Sequence, residues 1–114
     1  MSDLVPPREW RFYISDMIAF AERVISYTNG MDQQAFVASG LTYDATPRNL
    51  ELIGEAARNI PDAIHANYPQ IPWRLMIATR NRLIHGYLGI DSDTLWSIIQ
   101  DDVPALLDKL RALK

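Results

Sequence analysis

The chain contains no cysteine, which excludes a disulfide framework and any thiolate metal site. No apolar run approaches the roughly eighteen residues of a membrane span, so no contact with a membrane is expected. The opening MSDLVPPREW lacks a basic region followed by an apolar one and does not read as a signal peptide. A cytoplasmic location is the expectation. The five glycines are scattered, which leaves no glycine-rich loop to cradle nucleotide phosphates. Lysine is scarce: nine of the eleven basic residues are arginine, which favours forked binding of phosphate or carboxylate over a diffuse cationic field. Alternating strand patterns, internal repeats and low-complexity tracts are missing.

The most informative absence is local. From Ala63 to Ile90 there is no Asp or Glu, yet Arg74, Arg80, Arg82, His65 and His85 all fall there. The net charge of −3 argues against general coating of nucleic acid. A basic segment on an acidic body suits a few specific phosphate contacts, and the acidic remainder could meet a basic partner.

What is present is helical. With 114 residues, 48% hydrophobic and 22% charged, the chain reads as one domain, 1–114, burying about two-thirds of its unfolded surface. Trp10, Tyr13, Ile14, Met17, Ile18, Ala21, Val24 and Ile25 recur at three and four and predict a first helix from about Pro7 to Tyr27, ended by Asn29–Gly30. Asp32 is placed to cap a short helix through Ala38, closed by Gly40. Thr42 or Thr46 starts the next helix. With Thr46 as cap, Pro47 falls in the tolerant first turn; with Thr42, Pro47 becomes an internal kink. The stripe continues through Leu50, Ile53, Gly54, Ala57 and Ile60, where Gly54 and two alanines permit close helix approach, and Pro61 stops it. Residues 61–71 read as a helical turn plus loop. Pro72–Trp73 opens a further helix that Gly86 is suited to close. Asp91 caps the last helix, with Ile90 and Leu95 as a hydrophobic staple, and Pro104 is expected to bend it. The expected fold class is all-α, an antiparallel bundle of about four or five helices.

The acid-free segment carries RNRLIHGY, Arg80 to Tyr87. At about 100° per residue Asn81 and His85 share a helix face. Arg80 and His85 stand about 140° apart, so Arg80 can flank the same opening but reaches His85 poorly within one helix. A permanent cation, a titratable imidazole and an amide suit a phosphate ester. The plainer account makes Arg80 and Arg82 solvated, His85 a helix-end residue satisfying carbonyls, and Tyr87 a packing ring.

RNA cleavage without metal needs a base for the 2′-hydroxyl proton, an acid for the leaving 5′-oxygen, and a cation for the crowded phosphorane. His85 can be base or acid, Arg80 can bind phosphate with a forked donor set, and Asn81 can orient the phosphate or His85. One motif supplies one histidine. Two facing motifs supply two, which favours a symmetric homodimer with a composite cleft on its axis. No metal or cofactor is expected. His65 and His85 lie far apart with no acid between them, Glu55 and Asp62 are the nearest upstream carboxylates, and His65 reads as a surface or loop histidine. Glu55 is either a helix-surface charge or the partner of a motif arginine. Tyr87 either stacks on a base or packs.

RNLELIGEAARNIP (Arg48–Pro61), then IPWRLMIATRNRLIHGY (Ile71–Tyr87), then a closing segment with Trp96 and Pro104, resembles the HepT-like branch of the HEPN ribonuclease toxins. The likeness runs from about Arg8 to Leu110. The Arg–His spacing alone is weakly specific, whereas the combination is strongly so. The resemblance implies an HEPN-like bundle, a dimeric endoribonuclease acting on RNA as the toxin of a type VII toxin–antitoxin system, and a minimal, MntA-like nucleotidyltransferase antitoxin that adds AMP to the motif tyrosine, Tyr87. It also favours Glu55 as an arginine partner, because the family's GEA segment packs near the site, and leaves Arg82 as a possible supporting charge. A nucleotide on Tyr87 would repel RNA and block its entry. The alternative, from another class, is a non-catalytic nucleotide-binding or docking subunit of a nucleotidyltransferase complex. The acidic net charge favours that alternative, and the intact Arg80–Asn81–His85–Tyr87 set favours the enzyme. A purely structural bundle leaves the acid-free segment without a reason.

Overall fold

The computed structural model describes residues 9–85 and 90–113. Every regular element in that range is helical: α1 (Trp10–Thr28), α2 (Gln33–Ala38), α3 (Gly40–Asn59), α4 (Asp62–Asn67), α5 (Trp73–Ile84), α6 (Ser92–Ser97), a π-helical turn (Ile98–Asp102) and α7 (Val103–Arg111). The α6–π–α7 run forms one interrupted rod. With α1, α3 and α5 it makes an all-α bundle in which α1 lies between α7 and α3, and α3 lies between α1 and α5. The expected HEPN-like class is therefore observed.

Local sequence explains most boundaries. The hydroxyl of Thr28 donates to the Val24 carbonyl, 2.8 Å away, at the end of α1. Gly30 then takes φ +77°, a left-handed conformation that glycine adopts without steric cost. Asp32 caps α2 as expected, its carboxylate accepting from the Ala35 N–H at 2.8 Å. Asp91 caps α6 in the same way through Thr94. Ile90 and Leu95, the two staple residues, are both buried.

Three boundaries differ from expectation. Gly40 does not close α2; it opens α3, and Ser39 is the hinge between them. The helix therefore starts before both Thr42 and Thr46, and Pro47 lies inside it. The missing N–H costs one helical hydrogen bond, but Thr46 and Pro47 are fully buried, and the long α1–α3 contact carries the helix through. Ahead of Pro104 the irregularity takes the form of the π turn, whose wider loop gives room where the proline ring opposes regular α geometry. The first helix begins at Trp10 after an extended Glu9, and Pro7, its expected start, lies with residues 1–8 outside the described range.

The core runs along α1 (Ile14, Met17, Ala21, Val24), α3 (Leu50, Ile53, Ala57), α5 (Met76, Leu83) and α7 (Val103, Leu106, Leu110). Short α2 is fastened by Phe36, fully buried, with ring centroids 5.2 Å from Tyr43 and 5.3 Å from Trp96. Burial of one such ring stabilises by roughly 2–3 kcal/mol, enough to hold a helix too short to persist alone. No helix among the described residues is long and apolar enough to cross a membrane.

Candidate active site

α5 is the platform for the site. Trp73, Met76, Thr79 and Leu83 form its buried face, and Arg74, Ala78, Asn81 and His85 are exposed on the other. The steps of four, three and four between these exposed residues keep them in one stripe along the helix.

Gly54 decides how α5 meets α3. A Cβ there would lie 2.3 Å from Arg80 Cβ and 2.5 Å from the Met76 carbonyl oxygen. No side chain fits, so the backbones approach closely at the first residue of the site. The next residue on α3, Glu55, places Oε2 3.0 Å from Arg80 Nη2. This is the contact between Glu55 and a motif arginine that the sequence suggested. Glu55 also meets Arg58, at 3.4 Å.

Arg80 is held on more than one side. Nη1 donates to Asn81 Oδ1 at 2.9 Å, and Nε is buried with no partner among the described residues. The side chain is only 19% exposed, so its stem is fixed against α3 and its guanidinium is held between Glu55 and Asn81. Asn81 thus steadies Arg80 rather than reaching His85.

His85 lies one residue beyond α5 as its C-cap, at φ −89° and ψ 9°, with its N–H bonded to the Leu83 carbonyl. The side chain is exposed, and among the described residues it has no partner. Gly86 and Tyr87, the expected helix closer and modification site, lie outside the described residues. Arg82 points elsewhere. It lines the groove between α5 and α6 with Asp93 and Asp102, on the opposite flank from Glu55. That is what a spacing of two residues dictates on a helix, about 200° from Arg80.

The two shifted acids also belong to that flank. Asp91 is held below the ordinary carboxylate range, first by the Thr94 N–H, then by the Thr94 side chain, with a smaller share from the Arg82 charge. Asp102 is pushed up by burial and then by neighbouring Asp101. Among the described residues, no group of three or more His, Asp and Glu side chains is placed to hold a metal ion.

His65 departs from its reading as a surface or loop histidine. It sits in α4, half-buried, with its ring stacked on Trp73 (centroids 4.4 Å apart, planes 16° apart). Its Nε2–H donates to the Ala57 carbonyl at 2.9 Å. No local pattern announces this contact, because the partners come from three separate elements.

A sequence profile of the family described as Ribonuclease HepT-like matches residues 17–113. The chain belongs to the HepT-like ribonuclease family. A protein of Thermococcus cleftensis named "Probable ribonuclease HepT" is 36% identical over 107 residues, covering 94% of this chain and 97% of its own. Two proteins of Methanocaldococcus jannaschii, each named "Putative RNase", are 37% and 36% identical, covering 87% and 88% of this chain and 91% and 83% of their own. No solved structure matches. The HepT-like match includes Glu55, Arg80, Asn81, Arg82, His85 and Tyr87.

Proposed function

We propose that this HepT-like protein is a metal-independent endoribonuclease with Arg80 and His85 as catalytic residues. The observation that carries the reading is Arg80 itself: a guanidinium fixed by Glu55 and Asn81, on the helix that ends in an exposed imidazole. The ribonuclease names of its relatives support it. A guanidinium so positioned binds a phosphate with a forked edge and takes up the charge that grows on the phosphorane. His85 accepts the 2′-hydroxyl proton as that oxygen attacks phosphorus. A second imidazole protonates the departing 5′-oxygen, leaving a 2′,3′-cyclic phosphate. One chain has a single motif histidine, so the site is completed by a second copy in a homodimer.

In this reading the protein is the toxin of a toxin–antitoxin pair. A nucleotidyltransferase antitoxin neutralises it: the Tyr87 hydroxyl attacks the α-phosphorus of ATP, pyrophosphate leaves, and the tyrosine, two residues along the chain from His85, carries AMP. Tyr87→Phe keeps the ring, removes the acceptor oxygen and resists neutralisation. The test of the whole reading is cleavage of RNA by pure protein in chelator. Activity that survives chelation but disappears in Arg80→Ala and His85→Ala supports it. Chelator-abolished activity, or activity in either alanine variant, sinks it. Light scattering at micromolar concentration should give about twice the 13.0 kDa chain mass.

A further inference from the structure

A second cleft opens at the other end of α5, between α4 and the Pro69–Pro72 link. Its volume is about 580 Å³, within the range of small-ligand sites. Pro69 and Leu75 supply apolar wall, His65 and Trp73 contribute the stacked ring pair, and Asp62 and Arg74 stand at the rim. Neither the sequence reading nor the proposed chemistry uses this cleft.

We propose that the cleft is a guanine-binding subsite for the RNA strand that the active site cuts, an inference that rests on the ribonuclease reading. Three features lead there. First, His65 is a fixed aromatic surface. One ring face lies on Trp73, and its Nε2–H is tied to the Ala57 carbonyl, so a base stacking on the other face orders nothing new. Second, the rim carries one charge of each sign. Arg74 suits a phosphate. The Asp62 carboxylate offers two acceptor oxygens side by side. Among the four bases only guanine presents two adjacent donors, N1–H and N2–H, to match them. Adenine and cytosine place an acceptor beside their amino group, and uracil flanks its single N–H with carbonyls. Third, the route is continuous. Arg74, Ala78, Asn81 and His85 share the exposed stripe of α5, about 18 Å long from Trp73 to His85 at 1.5 Å per residue. An RNA strand lying along this stripe, to which α5 itself contributes no acidic residue, reaches both places.

The test uses the intact protein and fluorescent 2′-O-methyl RNA octamers, which bind but lack the attacking hydroxyl. One octamer contains guanines and its twin carries inosine, which keeps N1–H but lacks the N2 amino group. Wild type should bind the guanine octamer about tenfold or more tighter than the inosine twin, the discrimination expected of one good bidentate pair. Asp62→Asn should bind both equally. Arg74→Gln should weaken both by a similar factor and flatten the salt dependence. Cleavage of a dinucleotide, too short to span from His85 to the cleft, should keep its kcat in both variants. Both residues are exposed, so these changes leave the fold intact, and thermal melts check that. Equal wild-type affinity for the two octamers, or wild-type affinity in Arg74→Gln, overturns the subsite. The two readings fail separately. Cleavage without inosine sensitivity removes the subsite alone. Asp62-dependent guanine preference without cleavage removes the nuclease and leaves the subsite standing.

Discussion

The two ends of α5 are built in opposite ways. At its start Trp73 is 6% exposed, donates its indole N–H to the Tyr68 carbonyl at 3.0 Å, and carries His65 flat on its ring. At its finish Asn81, Arg82, Ile84 and His85 are all exposed. Each end has one of the chain's two histidines. The first is tied by a carbonyl and a ring, and the second has no partner among the described residues. Burial and bonding, not residue type, separate the two. A helix anchored at one end and pinned at its middle by Gly54 can present reactive groups at the other without losing their position.

The sharpest way to break this comparison is to remove each histidine in turn. His85→Ala should lower the rate of RNA cleavage by about 10²–10⁴, equivalent to about 3–5 kcal/mol in the barrier, with an unchanged melting temperature. His65→Ala should do the reverse. It should lose about 1–3 kcal/mol of stability from the stack and the hydrogen bond and keep its kcat on a dinucleotide. A destabilised His85→Ala, or an inactive but stable His65→Ala, would invert the assignment.

Gly54→Ala tests the middle of the helix. Alanine gains about 1 kcal/mol of helix propensity over glycine, but its methyl would overlap the Met76 carbonyl, a backbone atom that cannot swing aside. The clash should win, for a net loss of about 1–3 kcal/mol in chemical denaturation, together with reduced cleavage as α5 and Arg80 move outward. A stabilised, fully active variant would show that the close approach does not matter.

Glu55→Gln should affect stability less, by at most about 1 kcal/mol, because the carboxylate is nearly half exposed and well screened. Its effect on kcat should be the larger one, since Arg80 loses its tether, and Glu55→Asp should restore part of it. Equal fractional losses in stability and kcat would reduce Glu55 to an ordinary surface charge.

The smallest effects lie on the opposite flank and have opposite signs. Asp91 titrates low in the folded protein. Its contribution is present above the ordinary carboxylate range and is lost as pH falls through its depressed value, so Asp91→Ala should lower the melting temperature at neutral pH and less so in acid. Asp102 titrates high. Ionising it in the fold costs stability, and that cost fades as pH falls through its raised value. Asp102→Asn should therefore raise the melting temperature slightly at neutral pH, a gain that shrinks on acidification. Melts across pH 3–7, the interval spanning ordinary carboxylate titration, check both signs.

Periodicity, capping and composition were enough to read the all-α class, the α2 and α6 caps, the opening of α5 at Pro72–Trp73, and the small-residue face of α3 around Gly54. These are local properties: a cap and its N–H are three residues apart, and an apolar stripe is written at intervals of three and four. The pairing of Glu55 with a motif arginine was legible only through the likeness to a family, and that the arginine is Arg80 rather than Arg82 follows from the way α5 is rotated against α3. Tertiary packing alone decided that α3 runs through Pro47, because the long burial against α1 outweighs one lost hydrogen bond. It likewise decided that the irregularity before Pro104 is a π turn, and that one face of His65 lies on Trp73. Each of these depends on atoms brought together from separate elements, and the free energy of such contacts exists only once the chain has closed on itself.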